Sequence, residues 1–331
     1  MIRTKRMVCL AILIVLLSSY ITGCGSDKHL FDSTILITDP ADAYAEAEVL
    51  DNPCPTLSVP TQVNKIGDTY FIVDCYDDQV IYSDDVKAPL YEWKVLTSDM
   101  SRGHTIASDG VVYLVDDTEN NRVLVFEKYE DKFLQTQVLD GIGLRPHYVI
   151  YNEGNKTFYV WSSMTGQMYL MKRDAANNQV YVSDILSIDE LNGVYVRSFT
   201  IIGNDIYFVS GNCQIIRAKL SNFKINKRYV VPVELAGMVQ IMPVDGGFLI
   251  TISTDANGDQ SYATIIFTKD LEKLSDYEYE DVYANFVGGG TPYYITNIED
   301  TYYLTEHRVP GHSVWSFKVS DGQITDVESI Q

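Results

Sequence analysis

The sequence is short of basic residues. Its 331 residues carry 25 Lys and Arg against 45 Asp and Glu, a formal net charge of −20. So acidic a chain excludes a general nucleic-acid binder, which must neutralise phosphates with Lys and Arg. Proline is sparse at 10 residues, and no stretch after residue 24 keeps a long helical period. Motifs with established chemistry are also missing. There is no Gly-x-Ser-x-Gly turn and no Cys-x-x-Cys pair. Gly288-Gly289-Gly290 is followed by neither Lys-Ser nor a helical pattern, so it reads as a loop between repeats and not as a phosphate cradle. Asp255-Ala256-Asn257-Gly258-Asp259-Gln260 begins like a calcium loop, but Gln260 replaces the turn Gly and Ile266 stands where the closing Glu belongs. A hairpin turn accounts for it better.

What the chain has in quantity is apolar and aromatic material. Hydrophobic residues make up 46%, and Tyr alone contributes 24. That supports a large core, excludes wholesale disorder and leans the composition towards strands. The length alone suggests about two domains, although all-β barrels and propellers often exceed that guideline as single units.

The first 24 residues carry an address. Arg3, Lys5 and Arg6 form a positive start, Met7 to Leu17 is an unbroken apolar run, and Ser18 to Gly23 shortens and polarises the chain. The run is too short for a spanning helix and reads as a secretory signal. Its end, Ile21-Thr22-Gly23-Cys24, resembles the bacterial lipobox, with Ile21 where Leu is usual. The resemblance implies cleavage after residue 23, lipidation of Cys24 and retention at the membrane on its extracytoplasmic face. Two lipid signals, a diacylglyceryl thioether and an amide-linked chain, are what stable anchoring needs. Removing residues 1–23 leaves 22 basic against 45 acidic residues, a net charge of −23. Cys54, Cys75 and Cys213 then remain besides Cys24. Three thiols permit one disulfide with one free thiol, Cys54–Cys75 being the favoured pair if a bridge exists, and equally permit three buried small hydrophobes. Residues 24–44 read as an acidic tether with a short strand at Thr34 to Thr38, and 45–331 as one domain.

That domain repeats six times. Turn-and-strand openings recur at Gly67-Asp68-Thr69-Tyr70, Asp109-Gly110-Val111-Val112-Tyr113, Glu153 to Tyr159, Gly203-Asn204-Asp205-Ile206-Tyr207, Asp245-Gly246-Gly247-Phe248 and Glu299-Asp300-Thr301-Tyr302. They stand roughly 42 to 54 residues apart, the range of four-stranded propeller blades. Apolar alternation with period two runs through most of the segments. The expected fold is therefore an all-β, six-bladed propeller of four-stranded antiparallel blades. Ala45 to Leu50 and Gln323 to Ile330 both read as outer strands, giving seven for six blades. One must be an extra edge strand or a ring-closing strand.

The second repeat, Ser101 to Phe126, resembles an NHL repeat. It has the Arg-Gly lead-in (Arg102-Gly103), the Asp109-Gly110 turn, the Tyr113-Leu114-Val115-Asp116 strand, then Asn120-Asn121-Arg122-Val123 and Phe126. The other five repeats keep little beyond the turn chemistry. The resemblance implies the propeller, and a family whose members include binding modules, sensor domains and lyases, so it does not choose a function.

In a propeller each blade's first strand lines the channel. Aligning blades on their turns puts Gln62, His104, His147, Phe199, Gln240 and Tyr294 at one level, preceded two residues earlier by Pro60, Arg102, Arg145, Arg197, Met238 and Pro292. Blade 6 adds His307, Arg308 and His312. An Arg and His cluster on one face of so acidic a chain suggests a site for an anionic small molecule, glycan or peptide group, since guanidinium matches carboxylate and phosphate in two-pronged fashion. Gln62, Gln240 and Tyr294 would add amide and aromatic contacts. Three other readings stand beside it. The arginines pair with acidic loops such as Asp116-Asp117 and Glu119; or His104 and His147 with His307 or His312 hold a metal for a lyase or hydrolase; or the molecule works as a scaffold towards an extracytoplasmic protein partner. No catalytic constellation with assignable roles and no cofactor is expected.

Overall fold

The computed structural model describes residues 33–37, 43, 44, 47–255 and 257–331. The signal and Cys24 lie outside them. The described residues form six antiparallel sheets, four of four strands and two of five. Their innermost strands are Pro60–Ile66, Ile106–Ser108, Pro146–Asn152, Val196–Ile202, Gly237–Val244 and Thr291–Ile298, each packed against the next and the last against the first. This is the six-bladed propeller that the repeats predict.

Local chemistry builds each blade. The turn between first and second strands needs positive φ, supplied by Gly67 at 61°, Gly110 at 88°, Gly203 at 59° and Gly246 at 86°. In the two blades without a Gly at that point, Lys156 and Asp300 take the same conformation. Alternation then gives every blade two apolar faces, and the core consists of six clusters, one per blade seam. Between blades 1 and 2, for example, Phe71, Val73 and Val80 meet Ile106, Tyr113 and Leu124.

The surplus outer strand is resolved simply. Gln323–Ser329 is the fourth strand of blade 6, while Leu50–Asp51 adds a fifth strand to blade 1 and Ser33–Ile35 a fifth strand to blade 2. Edge strands need such covering, because their free N–H and C=O groups invite other chains. Among the described residues no blade mixes the two chain ends. The ring is closed by side-by-side packing of blades 6 and 1, where Ile298, Tyr303 and Val314 meet Val63, Ile72 and Trp93. Polar ties reinforce the seam: Thr305 Oγ1 donates to Thr61 O at 3.0 Å, and Gln331 Nε2 to Ala88 O at 2.8 Å.

Of the two readings of the cysteines, the structure has the one without a Cys54–Cys75 bridge. Cys54, Cys75 and Cys213 are all free thiols, with Cys75 buried and the other two half-buried.

Candidate functional site

Backbone pinning decides where the arginines stand. Asp116, at the end of the second strand of blade 2, accepts the His104 N–H at 2.9 Å and the Thr105 N–H at 2.7 Å, and Asp117 accepts that of Ser101 at 2.7 Å. The turn of each preceding blade then holds the next arginine: Asp78 Oδ1 accepts the Arg102 N–H and Asn121 Oδ1 the Arg145 N–H, both at 2.8 Å. Arg102 and Arg145 consequently sit at φ 58° and 60°, left-handed backbone that a non-Gly residue adopts at a cost of on the order of 1 kcal/mol.

Arg102, Arg145 and Arg197 converge on the mouth of the channel, in a cavity of about 270 Å³ also lined by His104, His307, Thr291, Tyr76, Tyr195 and Glu119. Their charges are only partly answered. Arg145 Nη2 lies 3.0 Å from Glu119 Oε1, both side chains being more than a third exposed, so the pair is weakly coupled. Arg102 stacks on the Tyr76 ring at 3.9 Å, and Arg197 over Tyr195 at 5.0 Å. Neither has an ion-pair partner among the described residues, and Asp117 is taken by Arg122 at 2.6 Å. Four buried polar atoms of this one lining find no hydrogen-bond partner: Arg102 Nη1, Arg145 Nε, Thr291 Oγ1 and His307 Nδ1.

Behind the mouth the two histidines stack, ring centroids 3.7 Å apart. Their tautomers follow from their partners. His147 Nδ1 lies 3.0 Å from the Arg197 carbonyl, which can only accept, so Nδ1 carries the hydrogen and Nε2 accepts from the Tyr195 hydroxyl at 2.9 Å. Thr118 Oγ1 spends its hydrogen on the Pro146 carbonyl at 2.8 Å, so it accepts from His104 Nδ1 at 3.1 Å. That leaves His104 Nε2 facing the Cys75 thiol at 3.7 Å. Burial, with the Arg145 and Arg197 charges behind it, lowers His104 to about 3. Burial and then His104 itself keep His147 well below the ordinary histidine range. Burial lowers His307 to about 4 and lifts Asp116 to about 7. The imidazoles are therefore neutral, and the positive charge of the mouth belongs to the guanidinium groups alone.

Several sequence-predicted residues go elsewhere. Gln62 and Gln240 line an opening on the opposite face. There they act as stitches between blades: Gln62 Oε1 accepts from Ile106 N at 2.8 Å, and Gln240 Oε1 from Ile295 N at 2.7 Å. Tyr294 is buried beneath the histidines, donating to the Arg197 carbonyl at 3.1 Å. Arg308 clamps the loops of blades 5 and 6 through Gln260 Oε1 at 2.9 Å and Gly290 O at 3.1 Å. His312 stacks on Trp315 with centroids 5.2 Å apart and bonds Ser329, away from the channel. A three-histidine centre is not assembled. The stacked pair has its nitrogens engaged, and no group of three or more His, Cys, Asp or Glu placed to hold a metal occurs among the described residues.

No protein-family model matches the chain, and no curated protein does. The likeness lies in solved structures. A streptogramin B lyase superposes with a TM-score of 0.57 at 13% identity, over 86% of this chain and 87% of that one. A catalytically inactive virginiamycin B lyase from Staphylococcus aureus, bound to quinupristin, gives 0.56 at 14%, over 86% and 88%. A putative 6-phosphogluconolactonase from Bacteroides fragilis gives 0.56 at 13%, over 82% of each chain. The chain has the propeller fold. Identities this low carry no activity with them, and the NHL resemblance rests on the second blade alone.

Two groups at the mouth escape a sequence reading. Tyr195 precedes Arg197 by two residues and takes an arginine on either side, Arg145 at 5.8 Å and Arg197 at 5.0 Å. Thr291 is the first residue of its strand, with no charge or aromatic ring to mark it.

Proposed function

We propose that the arginine-bearing mouth of the channel binds the anionic group of a small molecule, glycan or peptide, and that the protein does so on the extracytoplasmic face of the membrane, anchored through lipidated Cys24. One observation carries the binding reading. Four unpartnered buried polar atoms share a single lining with three arginines, in a chain whose net charge is −20. Unpaired buried donors cost free energy, and an oxyanion would satisfy several at once. The left-handed backbone at Arg102 and Arg145 supports it too, since the turn itself needs no arginine.

Thermal shift against inorganic phosphate, sulfate and simple carboxylates tests the reading. A ligand at 100 times its dissociation constant stabilises by about 2.7 kcal/mol. The gain should vanish in Arg102→Ala with Arg145→Ala; a gain unchanged in that double variant would make the arginines structural. The anchor has its own test. Cys24→Ala should release the protein or leave it unprocessed and abolish fatty-acid labelling, whereas full processing with membrane retention would refute lipidation there.

An enzymatic reading has one local support, the Tyr195 ring with two guanidinium groups over it and its hydroxyl donating to the neutral His147 Nε2, a proton acceptor. In that reading a lyase or lactonase would use Tyr195, with no metal on the histidines. Loss of any turnover of anionic lactones in Tyr195→Phe, with anion binding kept, would favour it.

A further inference from the structure

The mouth has a neighbour on the same face. At the seam of blades 6 and 1 a groove of about 580 Å³ is lined by Leu57, Pro89, Leu90, Tyr91, Val309 and Pro310. Its prolines fix the backbone of both walls, and the Gln331 side chain ties down the carbonyls of Val86 and Ala88 beside it. Tyr91 is 68% exposed, an apolar ring left open where most of the chain's other rings are covered.

Groove and mouth share two ridges of chain. Ser58 lines the groove and Val59 the mouth; Arg308 lines the groove and His307 the mouth. The Arg308 guanidinium keeps its charge, but its terminal nitrogens donate to Gln260 Oε1 and the Gly290 carbonyl and are held by those loops. His307 Nδ1, buried and unpartnered, stands on the mouth side of the same ridge. The mouth alone is about 270 Å³, just under the roughly 300–1,000 Å³ of ordinary small-molecule sites, and the two cavities together fall within that range.

We infer that mouth and groove form one site, and that its ligand is an amphiphilic anion: a carboxylate or phosphate held by Arg102 and Arg145, joined to an apolar acyl chain that crosses the His307–Arg308 ridge into the groove. This rests on the proposed anion binding and adds the class of ligand to it. Adjacency of the two linings, at Ser58–Val59 and at His307–Arg308, names the occupant. A separate apolar partner would leave the mouth donors unanswered, and a bare inorganic anion would leave the groove to water.

Calorimetric titration of the mature chain without its lipid tests this, using straight-chain carboxylates from acetate to octanoate and matching alkyl phosphates. Once the chain reaches the groove, affinity should rise about fourfold per methylene, the factor that about 0.8 kcal/mol per buried CH₂ gives. Tyr91→Asn with Val309→Asn, two neutral polar changes at one exposed and one half-buried position, should flatten that rise and leave acetate and phosphate binding intact. Arg102→Ala with Arg145→Ala should remove binding across the series. Short anions that bind with no gain per methylene, or a gain that survives both asparagines, would overturn the shared site and leave the mouth reading standing. Failure of every anion, short ones included, would end the mouth reading and this inference with it. Chains that still bind after loss of the arginines would make the groove an independent apolar site and overturn the joined one.

Discussion

His104 and His147 lie face to face behind the channel mouth, their rings 3.7 Å apart and tilted by 26°. Rings so close cannot both carry a proton charge, and the arginines in front discourage either from doing so. The pair is a neutral, hydrogen-bonded floor beneath a positively charged rim.

The part of the stability that a neutral His104 carries should therefore fall in acid. His104 titrates near 6.5 when unfolded and about 3 when folded, so below pH 6.5 the unfolded chain binds the extra proton. The contribution is complete above 6.5 and is lost as the pH drops towards 3. Each unit is worth at most about 1.4 kcal/mol, giving on the order of 2 kcal/mol between pH 6.5 and 5. Asp116, raised to about 7, works in the opposite direction over part of this range. Denaturant melts should accordingly compare the wild type with His104→Gln. The wild type should lose stability relative to the variant as pH falls; parallel curves would show that burial does not hold His104 neutral.

In anion-free buffer, Arg145→Ala should be no less stable than the wild type. It removes a buried Nε without a partner, leaves the backbone as it is, and sacrifices a half-exposed pair with Glu119 and a long contact with the Tyr195 ring at 5.8 Å. A loss of more than about 1 kcal/mol in a chemical melt would mean the arginine is part of the scaffold.

The three thiols should separate by accessibility. Burial pushes the Cys75 thiol far above its usual range, while Cys54 and Cys213 are half-buried. Mass spectrometry after brief alkylation of the native protein should show labels at Cys54 and Cys213 and none at Cys75 until the chain unfolds. Reductant should change neither mass nor melting temperature.

A chain ending near Val287 should not fold. It would lose blade 6 and strip cover from two apolar clusters, the one holding Leu249 and Phe267 and the one holding Ile72 and Trp93. The expected result is an insoluble or broadly melting product, and a sharp cooperative transition would contradict closure by packing alone.

The blades were legible because their signals are local. Period-two alternation needs only neighbours, and a turn with positive φ announces itself as Asp109-Gly110 or Gly203-Asn204. Arg102, Arg145 and Arg197 do line one mouth, although the blade 4 equivalent of Arg145 is Tyr195 and Arg197 stands two residues further on. What each channel residue does was decided by the ring. The counterpart of Gln62 in blade 2 is Thr105, which likewise accepts from the next blade at Val149 N, whereas His104 stands one residue earlier, at the level of Thr61, and stacks on His147. Successive strand residues face opposite ways, so a one-residue offset in the alignment exchanges the two roles, and the seam position must answer a buried N–H of the adjoining blade. That demand is set across seams some 40 residues apart in sequence, and no local pattern carries it. The unpartnered atoms of the mouth, Thr291 Oγ1 among them, and the apolar groove beside it emerge only when blade 6 meets blade 1, so they belong to the closed ring and not to any one repeat.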